Sequence, residues 1–132
     1  MYEYARRRRL KPEERKQVYN KTFGHCAYCG AEITINQMQV DHVIPLNGWH
    51  ISGPDTLDNM LPACRSCNHY KSSSDLESFR KMLEDQPHVL SRDSVTYQIA
   101  VRYGLVQPNP HPVQFYFEKI GLKYGVLKAR VR

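Results

Sequence analysis

Apolar positions recur at helical spacing in several stretches and alternate only briefly elsewhere, which predicts helices accompanied by a little strand. Leu76, Phe79, Met82 and Leu83 form the clearest stripe. The helix it predicts runs from about Cys67 to Leu83, and Pro87 closes that segment. Val95, Ile99 and Tyr103 predict another helix over Arg92 to Tyr103, ended by Gly104. A first helix is expected from Pro12, a good first-turn residue, to about Thr22, with Val18, Tyr19 and Phe23 facing inward and Gly24 ending it. Strands are expected over Ile33 to Val40 and at Leu61-Pro62-Ala63, with a weak strand alternation at Val113, Phe115 and Phe117. Between Val43 and Asn59 the chain is rich in Pro, Gly, Asn and Asp. Irregular loops longer than about 12–15 residues usually carry function. The fold class read from this pattern is α+β.

Composition narrows the picture. A chain of 132 residues is one domain, or a domain with arms. Its 41% hydrophobic content allows only a small core, of the kind a metal often staples. The net charge of +6 favours a polyanionic partner. No apolar run is long enough to span a membrane. The N-terminus shows no secretory signal, which leads to the expectation of a cytoplasmic protein with reduced cysteines. Arg6, Arg7, Arg8 and Arg9 concentrate one sign of charge in an arm over residues 1–10, expected to be a loose tail that touches phosphate. Residues 11–85 then read as the central domain, and residues 86–132 as an extension with a basic tail.

Chemistry enters with the cysteines. All four lie in two pairs, Cys26-Ala27-Tyr28-Cys29 and Cys64-Arg65-Ser66-Cys67. Each pair offers two thiolates to one ion, and together they close a tetrahedral Zn2+ shell with no open position, which makes the metal a scaffold. Disulfides are the competing reading, disfavoured without an oxidising compartment. Between the pairs stand Asp41-His42 and Asn59, and Asn68 follows directly. These are parts for phosphodiester hydrolysis. A histidine titrates near neutrality and can take a proton from water. Asp41 and the Asn68 oxygen are hard ligands suited to Mg2+ or Mn2+. Asn59 can bond backbone groups of the 43–60 loop, and Lys71 shares the helix face of Asn68 and could reach a phosphate. Neighbours in a regular strand point to opposite faces, so Asp41 and His42 can share a site only where the strand ends.

The motifs Cys26/Cys29, Asp41-His42…Pro45-Leu46, Asn59-Met60-Leu61 and Cys64/Cys67-Asn68…Lys71 resemble those of the HNH endonucleases, within the ββα-metal nucleases. The resemblance covers about residues 23–75. It implies a hairpin and helix around one catalytic ion, with His42 as general base, Asn59 structural, and Asp41 and Asn68 on the metal. Many members carry His at the third letter where this chain has Asn68, giving His-Asn-Asn, an order other active members share. That substitution moves the expected ion from Zn2+ or Ni2+ toward Mg2+ or Mn2+. The whole chain also looks like small stand-alone HNH proteins of bacteria and phages. DNA is the partner the resemblance implies, with no membrane. The alternative reading is a zinc-stapled nucleic-acid-binding, adaptor or inhibitor module without turnover, which would explain the zinc and the charge but not the acid, the base and two asparagines together.

Overall fold

The computed structural model describes residues 7–48, 51–123 and, for the backbone, 130–131. The chain is a mixture of short helices and small two-stranded sheets around a four-cysteine cluster, matching the α+β class expected from the pattern. In order it contains α1 (Pro12–Asn20), β1 (Gln39–His42), β2 (Ile51–Ser52), a 3-10 turn (Leu57–Asn59), β3 (Met60–Ala63), α2 (Arg65–Lys71), α3 (Leu76–Asp93), α4 (Val95–Arg102), α5 (Tyr116–Lys119) and β4 (Arg130–Val131). Two units are distinguished, one drawn from Met1–Leu76 with Gln114–Arg132, the other Glu77–Val113.

In the first unit β1 and β3 form an antiparallel hairpin, with Asp41 opposite Leu61 and His42 opposite Met60. Helix α1 starts at Pro12, and the Glu14 carboxylate accepts the Lys11 N–H at 3.0 Å, satisfying one of the donors a helix start leaves free. Its Val18 is buried with Ile33, Met38 and Met60. The half-buried Lys21 ammonium caps the Met60 carbonyl at 2.8 Å and also bonds the Leu57 carbonyl, tying the end of α1 to the 3-10 turn. A second apolar cluster joins Tyr28 to Phe115 and Phe117, all buried, with Tyr28 edge-on to both rings at 5.3 and 6.2 Å. The tail is fastened there by its backbone. Tyr116 N–H donates to the Tyr28 carbonyl at 3.1 Å, and Phe117 N–H to that of Ala27 at 2.8 Å.

Several local expectations are corrected. The strand expected over Ile33 to Val40 begins only at Gln39 and runs through His42. Thr34 and Gln37 bond each other's backbone N–H groups through their side chains, and Met38 N–H returns to the Thr34 carbonyl, so a turn wins over the strand. Phe23, expected inward, is 75% exposed; it has a positive φ of 56°, because α1 has already ended at Asn20. The single helix from Cys67 to Leu83 is two helices, broken at Ser72 with φ 50°. Val113, Phe115 and Phe117 do not form a strand; Phe115 is the N-cap of α5.

In the second unit α3 continues through Pro87 to Asp93 instead of closing there. An interior proline typically costs about 3 kcal/mol, a penalty that a helix of 18 residues spreads over many intact bonds. Ser94 caps α4 by accepting the Tyr97 N–H at 3.2 Å, and α4 is shorter than the expected Arg92 to Tyr103. Arg80 donates to the Val113 carbonyl at 2.7 Å and Glu84 accepts the Val113 N–H at 2.8 Å, which straps the extended segment back onto α3. Among the described residues no helix is long and apolar enough to cross a membrane.

Candidate active site and metal centre

The cysteine pairs converge. The sulfurs of Cys26, Cys29, Cys64 and Cys67 all lie within 4.8 Å of one another, and those of Cys29 and Cys64 are 3.8 Å apart. A tetrahedron with Zn–S bonds of about 2.3 Å has edges of about 3.8 Å, whereas a disulfide needs about 2.0 Å. The cysteines are free, and the cluster could hold a zinc ion. The first pair sits in a tight turn closed by Gly30 N–H on the Cys26 carbonyl at 3.0 Å, with Gly30 at φ +81°. The second pair opens α2, where the Cys64 sulfur accepts the Cys67 N–H at 3.4 Å. The Cys26 thiol is held down at about 4 by its hydrogen bond with Cys67, while that same bond and burial push Cys67 up. Four thiolates this close cannot all ionise unless a positive charge sits among them.

Beside this staple, Asp41, His42 and Asn68 line one pocket of about 320 Å³, together with Arg7, Pro45, Leu46, Asn47, Ser72 and Ser73. β1 ends at His42. From there the two neighbours turn to different partners, as strand geometry requires. The Asp41 carboxylate is buried and accepts from the Tyr28 hydroxyl and from Lys71 Nζ at 3.1 Å. Burial pushes its pKa up, and the Lys71 ammonium and Tyr28 hydroxyl oppose that shift. His42, 5% exposed, has its Nε2 at 2.9 Å from Asp55 Oδ1. Asn68 Nδ2 donates to Gln39 at 3.2 Å.

Asn59 is buried behind the pocket. Its Oδ1 accepts the Ile44 N–H at 3.0 Å, and its Nδ2 donates to the carbonyls of Ile44 and Pro54, each at 2.9 Å. The backbone carbonyl of Asn59 accepts Val43 N–H at 2.9 Å. One side chain thereby joins both ends of the loop that follows His42. Gly53 lies against this junction, and a Cβ there would fall 2.4 Å from the Ile44 oxygen and 2.8 Å from Asn59 Nδ2.

Lys71 does not stand where a phosphate could reach it. It is fully buried, and its Nζ donates to the His42 carbonyl at 3.0 Å as well as to Asp41. It is the last residue of α2, which ends at Ser72. Lys71→Met should therefore lower stability by about 3–5 kcal/mol, because it leaves Asp41 a buried charge without its partner. Urea unfolding checks this; a loss below 1 kcal/mol would show that Asp41 is not held by the pair.

The described part of the basic arm is docked rather than loose. Arg7 donates to the Val40 carbonyl at 3.1 Å. Arg8 donates its N–H to Asp55 Oδ2 at 2.7 Å and its Nε to the Asp55 carbonyl at 3.2 Å, and it pairs with Glu14 at 2.9 Å. Acceptors on three elements thus overcome the arm's self-repulsion. Arg7, Arg8, Arg9 and Arg15 line a larger groove of about 740 Å³ that also reaches His42. Arg6 lies outside the described residues. Asp55 and Tyr28 were missed by sequence reasoning. Asp55 reads as an ordinary turn residue after Pro54, and Tyr28 as filler inside the first cysteine pair; no spacing links either to Asp41 or His42.

Comparison with known proteins agrees with the motifs. Residues 26–74 match the model of the HNH endonuclease family. A CRISPR-associated endonuclease Cas9 of Corynebacterium diphtheriae is 35% identical over 49 residues, which is 37% of this chain and 4% of that protein. The crystal structure of the Type II-C Cas9 enzyme from Actinomyces naeslundii superposes over 53% of this chain and 7% of its own, with 24% identity and a TM-score of 0.46. The chain therefore spans only a small part of the length of these relatives.

Proposed function

With residues 26–74 matching the HNH endonuclease family, we propose that this chain is a metal-dependent endonuclease that hydrolyses DNA phosphodiester bonds. The observation that carries the reading is the lining of one pocket by a carboxylate, an imidazole and an amide, Asp41, His42 and Asn68. Apart from this pocket, Cys26, Cys29, Cys64 and Cys67 would hold one Zn2+ as a staple. The Asp41 carboxylate and the Asn68 amide oxygen suit a hard divalent ion by donor type, and both residues line the same pocket. A Mg2+ or Mn2+ ion held there supplies positive charge to the phosphate and the leaving oxygen.

The chain's own residues do the rest. His42 takes the proton of a water, whose oxygen attacks the phosphorus, and the bond to the leaving sugar oxygen breaks. Asn59 is a positioning residue, keeping the loop after His42 in register. Lys71 positions Asp41 rather than touching substrate. Arg7, at the pocket, and Arg9, in the groove, contact phosphates on either side. Reduced cysteines fit the cytoplasm of a bacterial or phage-infected cell.

Asp41→Ala and Asn68→Ala test the assignment. Both should cripple cleavage by weakening ion binding, and raising Mn2+ should restore part of it while leaving His42→Ala inactive. Equal failure of all three variants at every Mn2+ concentration would remove Asp41 and Asn68 from the ion.

A further inference from the structure

We propose that Asp55, itself gripped by the N-terminal arm, is a positioning residue for His42, so that the arm is part of the active site. The inference rests on the nuclease reading. Both carboxylate oxygens and the backbone carbonyl of Asp55 meet at this junction. Its Oδ1 faces His42 Nε2 at 2.9 Å, its Oδ2 accepts the Arg8 N–H at 2.7 Å, and its carbonyl accepts Arg8 Nε at 3.2 Å. Arg8 is in turn anchored by Glu14 on α1. The chain of contacts runs from a helix, through the arm, to the imidazole.

The chemistry of the junction assigns the ring's roles. A carboxylate only accepts, so His42 Nε2 carries the proton and points it at Asp55. Among the described residues Nε2 is the ring nitrogen with a protein partner, and Nδ1 keeps the lone pair that takes the proton from water. Rotation of the ring is restrained further by burial at 5% exposure.

Steady-state cleavage by the full-length protein tests this. Asp55→Ala should lower kcat by about 10- to 100-fold, the size of loss seen when the partner that orients a metal-ligating histidine is removed, with KM and zinc content near wild type. Asp55→Asn, nearly isosteric, should also fall, since its amide can donate and so releases the tautomer. Asp55→Glu should recover part of the rate. In a His42→Ala background, Asp55→Ala should cost nothing more, because both act through one ring. Unchanged or raised kcat in Asp55→Ala and Asp55→Asn, with His42→Ala inactive, would overturn the proposal alone. Wild-type cleavage by His42→Ala would instead overturn the nuclease reading beneath it. A purely structural Asp55 would lower the melting temperature and remain additive with His42→Ala, and that outcome also refutes a positioning role.

Discussion

His42→Ala should lose roughly 10^2–10^4 of the cleavage rate, the usual share of a general base, and should keep its zinc and its DNA affinity. The two properties separate because they reside in different groups. In the proposed mechanism the base acts on the attacking water, whereas binding is assigned to Arg7, Arg9 and the net charge of +6. The cysteine cluster is built from four other residues. Single-turnover kinetics with protein in excess over a labelled duplex, alongside a filter-binding isotherm, measure both halves. Wild-type rates in the variant, with trace nuclease excluded, would refute the assignment of His42.

Cys64→Ser should abolish both metal content and cooperative melting. Structural zinc binding is itself folding free energy, with an apparent value of about 10–16 kcal/mol in zinc-finger peptides. The buried core offers little to replace it, being made largely of Val18, Ile33, Met38, Met60 and the Tyr28–Phe115–Phe117 cluster. Cys64 also links the two halves of the site, ending β3 on one side and capping α2 on the other. Elemental analysis and a thermal melt read the outcome. Zinc-free wild-type protein with a disulfide, seen by mass spectrometry, would contradict the staple.

What could be read in the chain and what could not divides along physical lines. The α+β class and the family resemblance of the central segment were legible because short-range spacing carries them. Two residues between cysteines determine how two sulfurs meet one ion, whatever the rest of the fold does. Asn59 was legible as a loop fastener, and its side chain makes three bonds to the backbone of Ile44 and Pro54. Lys71 lies in α2 with Asn68 as expected, but it is buried against Asp41 instead of being open to a phosphate. Helical periodicity says which residues share a face, but not whether that face meets solvent or a buried carboxylate. Asp55 was invisible for a related reason. Its meeting with His42 depends on how the 43–59 loop folds back, and the junction is made by hydrogen bonds on Asn59 and by a glycine at 53 with no room for a Cβ. Charge alone did not reveal that the described residues Arg7 and Arg8 are docked. Like charges repel, but Asp55, Glu14 and the Val40 carbonyl supply the acceptors that dock Arg7 and Arg8, and sequence statistics of basic runs contain no such partners.

The central claim is that this pocket cuts DNA, and relaxation of supercoiled plasmid tests it most directly. Purified wild-type protein with Mg2+ or Mn2+ should convert supercoiled plasmid to nicked or linear product, and chelation of the ion should stop it. His42→Ala, prepared in parallel, should leave the plasmid supercoiled. No cleavage by the wild type of plasmid, single-stranded or branched DNA with either ion would contradict the account and leave a zinc-stapled binding module in its place.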